Sequence, residues 1–138
     1  MKPVVLLMLK DEADIIERCL DHWHSLGVRY FYVCDNGSTD GTFDIVSRWA
    51  RDGAVVALHA DTDPTFAGYR IVNELKSAAL SDGCDFIFPA DADEFLELPT
   101  GYNSLLSYLE EMEAGYFYTS VMYLNMWPGG GSTWQEPH

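Results

Sequence analysis

The chain predicts an α/β fold, with a mostly parallel central sheet and helices on both of its faces. Three observations carry that expectation. Short apolar runs and stretches of helical spacing alternate four times along 138 residues, the pattern of successive βα units. The runs, such as Val4 to Leu9 and Phe86 to Phe88, lack a polar-apolar alternation, as strands covered on both faces do. The breaks between runs and helices are compact clusters of turn formers, which suits one domain of this length.

Each element follows in order. Val4 to Leu9 reads as the first strand, and Lys10 ends it. Asp11 stands where it caps a helix whose positions Ile16, Cys19, Leu20 and Trp23 have helical spacing, with Asp14 in an acidic first turn and Gly27 as the stop. Tyr30 to Cys34 is the second strand, running into Asp35-Asn36-Gly37-Ser38-Thr39-Asp40-Gly41-Thr42, a dense turn cluster. Phe43, Ile45, Val46, Trp49 and Ala50 continue as a second helix closed near Gly53. Ala54 to Leu58 is a third short strand, and His59 to Gly68, with Pro64, a polar loop. Ile71, Val72, Leu75, Ala78 and Ala79 mark a third helix ending near Gly83. The fourth strand leads to Asp91. After a loop with Pro99 and Gly101, the residues Leu105, Leu106, Leu109 and Met112 indicate a helix, and Tyr116 to Leu124 a last strand-like run. Residues 1–124 form the α/β unit. Residues 125–138 are a Gly- and Trp-rich loop, or the start of a further segment.

Eight basic residues stand against twenty-two acidic ones, a formal net charge of -14 that disfavours nucleic acid and anionic membranes as partners. Cys19, Cys34 and Cys84 are three in number and have no metal-ligand spacing, so they read as small buried residues in a reducing compartment. The first apolar run is too short for a signal-peptide core, and no stretch reaches membrane-spanning length. A soluble, cytoplasmic chain without direct membrane insertion is expected.

The chemistry concentrates where the fourth strand ends, in Asp91-Ala92-Asp93-Glu94. Ligands of open α/β sheets collect outside the carboxyl ends of the strands. Two carboxylates separated by one residue suit a Mg2+ or Mn2+ ion. The alternative is that they cap a following helix. Parallel strands bring two more acidic loops to the same edge, Lys10-Asp11-Glu12 and Asp35 to Thr42, and such crowding calls for a cation or for hydrogen-bond donors. No Lys or Arg follows Lys76, so a phosphorylated ligand at Asp91 needs a metal to bridge it to the protein. Arg70 is the candidate for a direct phosphate contact, although a solvated surface arginine explains it as well. His22, His24 and His59 have no partners at ligand spacing and read as structural.

Leu9-Lys10-Asp11-Glu12 with Ile15-Ile16, then Asp35 to Thr42, then Asp91-Ala92-Asp93-Glu94-Phe95, resemble the successive signatures of glycosyltransferase family 2-like enzymes of the GT-A fold. The resemblance covers about residues 3–124 and implies a Rossmann-like core that binds a nucleotide sugar. It implies that Asp91 and Asp93 hold a Mn2+ or Mg2+ ion on the donor diphosphate, with Asp91 facing the ribose or the metal. It also implies that Asp35, beside Asn36, contacts the nucleoside, and that the loop from Leu9 to Glu12 lines the nucleobase. The donor is then a UDP-sugar by preference, the acceptor a glycan or other hydroxyl, and the transfer an inverting one with a carboxylate as general base. Here the chain departs from the pattern: no base is assigned. Glu94 is a weak candidate that serves equally well as a cap, Glu136 is the other downstream acid with positional appeal, and Trp127 and Trp134 offer sugar platforms or a folded-back stub. The competing expectations are a nucleotide-sugar or metal-binding α/β module without catalysis, and a phosphoryl-transfer enzyme using the same acidic pair. The latter classes want a lysine downstream of their aspartates, which this chain lacks.

Overall fold

The computed structural model describes residues 1–53, 55–60 and 68–111, with 55–60 described by their backbone. Its elements are β1 (Pro3–Leu9), α1 (Ile16–Ser25), β2 (Tyr30–Asp35), α2 (Thr42–Arg51), β3 (Val55–Ala60), α3 (Gly68–Ser81), β4 (Phe86–Ala90) and α4 (Leu105–Glu111). The four strands form one parallel sheet in the order β3-β2-β1-β4. The expected Rossmann-like α/β architecture is what forms. The run Tyr116 to Leu124, with Met112, Trp127, Trp134 and Glu136, lies outside the described residues, as do Ala54 and most of the loop around Pro64.

Residue alternation along the strands divides the core in two. Val5, Leu7, Leu9, Phe31 and Val33 face α1, α2 and α4, where they meet Ile16, Cys19, Leu20, Trp23, Val46, Leu105 and Leu109. Val4, Leu6, Tyr32 and Cys34 face α3 and meet Ile71, Leu75 and Ala79. Helices therefore cover both faces. The cysteines Cys19, Cys34 and Cys84 are buried free thiols. No helix among the described residues is long and apolar enough to cross a membrane.

Two expectations need correction. β4 packs on both faces, with Phe86, Phe88 and Ala90 on the α1 side and Ile87 on the α3 side, but it is only half-buried, since among the described residues it pairs with β1 alone and stands at the sheet's edge. Asp11 does not cap α1, which starts five residues later behind Ile15, a cap position without a side-chain hydrogen bond. Asp11 instead adopts φ 54, and its carboxylate accepts bonds from the backbone N–H and hydroxyl of Thr39, at 2.6 and 3.2 Å. Competition from a neighbouring loop's amides outweighed the local cap. At the opposite, amino edge of the sheet, Lys2 is fastened to Asp85 and Asp82, and the buried Tyr32 hydroxyl donates to the Asp82 carboxylate. That edge is a structural tie, which leaves the carboxyl edge for chemistry.

Candidate functional site

Strand register sets the site. Leu9 lies opposite Asp35, and Leu7 opposite Ala90, so β1, β2 and β4 end close together and their loops leave on the same side. The chain continues from β1 to β2 on one side of β1, while β4 lies on its other side and is entered from α3 on the opposite face. The β1–β4 junction is thus the point where strand order reverses, the usual position of a ligand crevice in such sheets. A cavity of about 250 Å³ opens there, with a floor that includes Leu6, Met8, Val72 and Leu75 and an acidic part made by Asp91 and Glu94.

The loops after β1 and β2 are interlocked by short polar bonds. Lys10 Nζ donates to the carbonyls of Asn36 and Gly37 at 2.9 and 2.7 Å, and the Asp11 N–H donates to Ser38 Oγ at 2.9 Å. The Glu12 N–H donates to the buried Thr42 hydroxyl oxygen at 2.8 Å, and the Ala13 N–H to Asp40 Oδ2 at 2.9 Å. Asp40 Oδ1 in turn accepts from the backbone N–H and hydroxyl of Thr42, at 3.0 and 2.6 Å. These bonds, with the Thr42 hydroxyl first and the Ala13 amide next, hold the Asp40 carboxyl below its ordinary range.

Several acids at the edge are therefore consumed by structure, and the remainder are exposed to a ligand. Ala92 is buried in the α1-side core at 3% exposure, and its neighbours Asp91 and Asp93 are exposed. Glu94 closes this turn: its N–H donates to the Asp91 carbonyl, and its carboxylate accepts the Asp91 N–H, both at 3.1 Å. No helix follows before α4, so the acidic tip caps nothing. Burial, then the carboxylates of Asp93, Asp14, Asp91 and Asp40, push the Glu12 carboxyl above its usual value. The field of Asp93 also reaches the Cys19 thiol, which burial chiefly pushes up to about 12. Glu12, Asp91 and Asp93 thus share one uncompensated negative field.

Asp35 ends β2 at 3% exposure. Its Oδ2 accepts the Ser38 N–H at 3.0 Å, while its buried Oδ1 finds no partner among the described residues. A buried carboxylate oxygen without a donor is costly, and a ligand N–H or O–H would satisfy it. Asn36 is tied to β1 by its N–H, which donates to the Leu9 carbonyl at 2.8 Å. The Leu9 side chain is wholly buried, so Leu9 meets the site only through its main chain. Arg70 lies in the first turn of α3 and bonds Glu74 at 2.8 Å, an exposed pair worth little. His22 and His24 are structural: His22 Nε2 is 2.8 Å from the Leu96 carbonyl oxygen, and His24 packs edge-on against Trp49. The His59 side chain lies outside the described residues.

Sequence reasoning passed over Lys10, Ser38, Asp40 and Thr42 as site-building residues. The turn cluster held the signal for the last three. A lysine at the end of a strand has none, since solvated lysines stand in the same place.

Among the described residues no group of three or more His, Cys, Asp or Glu side chains is arranged to enclose a metal ion. The donor set here is a pair of exposed carboxylates on one turn. That fits an Mg2+-like ion, which is commonly held by one or two carboxylates and completed by water and substrate phosphate. The family model of glycosyltransferase family 92 matches residues 8–133. No curated protein matches the chain.

Proposed function

The chain belongs to glycosyltransferase family 92, and from that membership we propose how its carboxyl edge performs the transfer. It is an enzyme that moves a glycosyl group from a nucleotide-sugar donor to an acceptor. The motifs resemble family 2-like enzymes, but the matching family is 92. Asp-x-Asp and the Asp35 to Thr42 cluster encode a strand-end geometry, which does not separate families that build the same geometry.

In the proposed reaction a UDP-sugar lies across the ends of β1, β2 and β4. Asp35 offers its Oδ1, unpartnered among the described residues, to the nucleoside, beside Asn36 and the loop from Leu9 to Glu12. Asp91 and Asp93 would hold a Mn2+ or Mg2+ ion, which when bound supplies positive charge to the departing diphosphate. Arg70, at the start of α3, would exchange its weak surface pair with Glu74 for a phosphate contact. An acceptor hydroxyl then attacks the anomeric carbon in a single displacement, with inversion, its proton passing to a base. Glu94, which lines the cavity and accepts the Asp91 N–H on Oε2 alone, is the weak candidate for that base. The acceptor is a glycan or another hydroxyl compound.

The observation that carries this reading is the pair of exposed carboxylates flanking a buried Ala92, the first of which, Asp91, lines the cavity at the β1–β4 reversal. The test is hydrolysis or transfer from a panel of nucleotide sugars, with Mn2+ and with EDTA. UDP-sugars turned over only with the metal are the expected result. Equal turnover in EDTA would sink the metal part of the proposal, and turnover of another nucleotide class alone would sink the UDP part.

A further inference from the structure

We propose that Lys10 is a positioning residue that holds Asp35 ready for the nucleoside, an inference that rests on the donor site proposed above. Lys10 is the first residue after β1, and its side chain is exposed. It crosses to the loop after β2, where its ammonium takes the carbonyls of Asn36 and Gly37 together. Two successive carbonyls can face one cation only if the backbone turns sharply, and Gly37 provides that turn at φ 68, in the left-handed region. Bonds from a charged donor are the stronger kind.

What this clamp orients is the next amide. The N–H of Ser38, directly after the clamped carbonyls, is the donor that Asp35 Oδ2 accepts. One carboxylate oxygen is thereby held, while the other, Oδ1, stays buried and unpartnered among the described residues. The chain of contacts runs from the end of β1 through the 36–38 backbone to a single acceptor atom. An acceptor in that state suits the imide N–H of a pyrimidine base or a ribose hydroxyl. Without the ammonium, repulsion between the aligned carbonyls would let the loop rotate, and Asp35 Oδ1 would turn to water.

The alternative role for Lys10 is direct contact with the donor phosphates through its third N–H. The two roles differ in how Lys10 couples to Asp35, which a double-mutant cycle measures. UDP is titrated calorimetrically with Mn2+ into the unaltered chain, Lys10→Met, Lys10→Arg, Asp35→Asn and the double variant Lys10→Met/Asp35→Asn, with thermal melts of each. Asp35→Asn keeps an acceptor for Ser38 and removes the free carboxylate oxygen. The expected result is binding about tenfold weaker in Lys10→Met and within about threefold of normal in Lys10→Arg. In the Asp35→Asn background, Lys10→Met should cost less than about a further twofold. Unchanged affinity in Lys10→Met, or the same tenfold loss in the Asp35→Asn background, overturns the positioning role while leaving the donor site intact. Failure of the unaltered chain to bind UDP overturns the donor site, and this inference with it. Should Lys10→Met not fold, Lys10→Gln carries the same cycle, since its amide keeps a neutral donor for the carbonyls.

Discussion

Glu12, Asp91 and Asp93 are set apart from Asp11, Asp40 and Asp35 by their hydrogen bonds. Each of the latter three accepts at least one bond from a loop amide, so its charge is answered locally. Asp91 and Asp93 have no side-chain hydrogen bond among the described residues, and Glu12 carries the consequence as a raised pKa. Its charged form is disfavoured by burial and by its acidic neighbours. Between the ordinary glutamate value of 4.5 and the raised folded value, the native state binds more protons than the unfolded chain. Stability therefore falls as pH rises through that window. Glu12→Gln should gain on the unaltered chain as pH rises from about 4 to 7, and added Mn2+ should shrink that gain by screening the same field. Urea denaturation at both pH values measures it, and a difference that does not change with pH would contradict an electrostatic origin for the shift.

The turn after β4 shows how an element presents chemistry. Ala92 is the small apolar anchor between two acids, and its burial against the α1-side core decides that Asp91 and Asp93 face outward. Ala92→Leu would overpack that contact, with an expected cost of about 1–3 kcal/mol. It should also weaken Mn2+-dependent UDP binding, although every carboxylate remains. Full affinity in a destabilised Ala92→Leu would show that the anchor serves only the core. The four strands and the first three helices were legible in the sequence because their apolar spacing is long and regular, and the positions of Asp35, Asp91 and Asp93 followed from strand direction. The bonds between loops were not legible. Asp11 follows a strand and precedes a helix by a short gap, which spells a cap, and only the arrival of Thr39 from a distant turn changes its partner. The edge position of β4 was hidden for a similar reason, since Phe86 to Phe88 has the same composition whether one neighbour or two lie beside it.

At the scale of the molecule, one edge of the sheet is tied by Lys2, Tyr32, Asp82 and Asp85, and the other carries the acidic loops and the cavity. A net charge of -14 opposes any diphosphate that arrives without a cation. In the proposed site the same charge favours a divalent ion, which Asp91 and Asp93 would hold against the donor diphosphate. The central claim is that Asp91 and Asp93 bind a nucleoside diphosphate through a divalent cation. Calorimetric titration of UDP with and without Mn2+, into the unaltered chain and into Asp93→Ala, tests it most directly. The account predicts binding that requires Mn2+ and is lost in Asp93→Ala while the thermal melt is preserved. Equal binding of UDP without the metal, or undiminished binding by a folded Asp93→Ala, would contradict it.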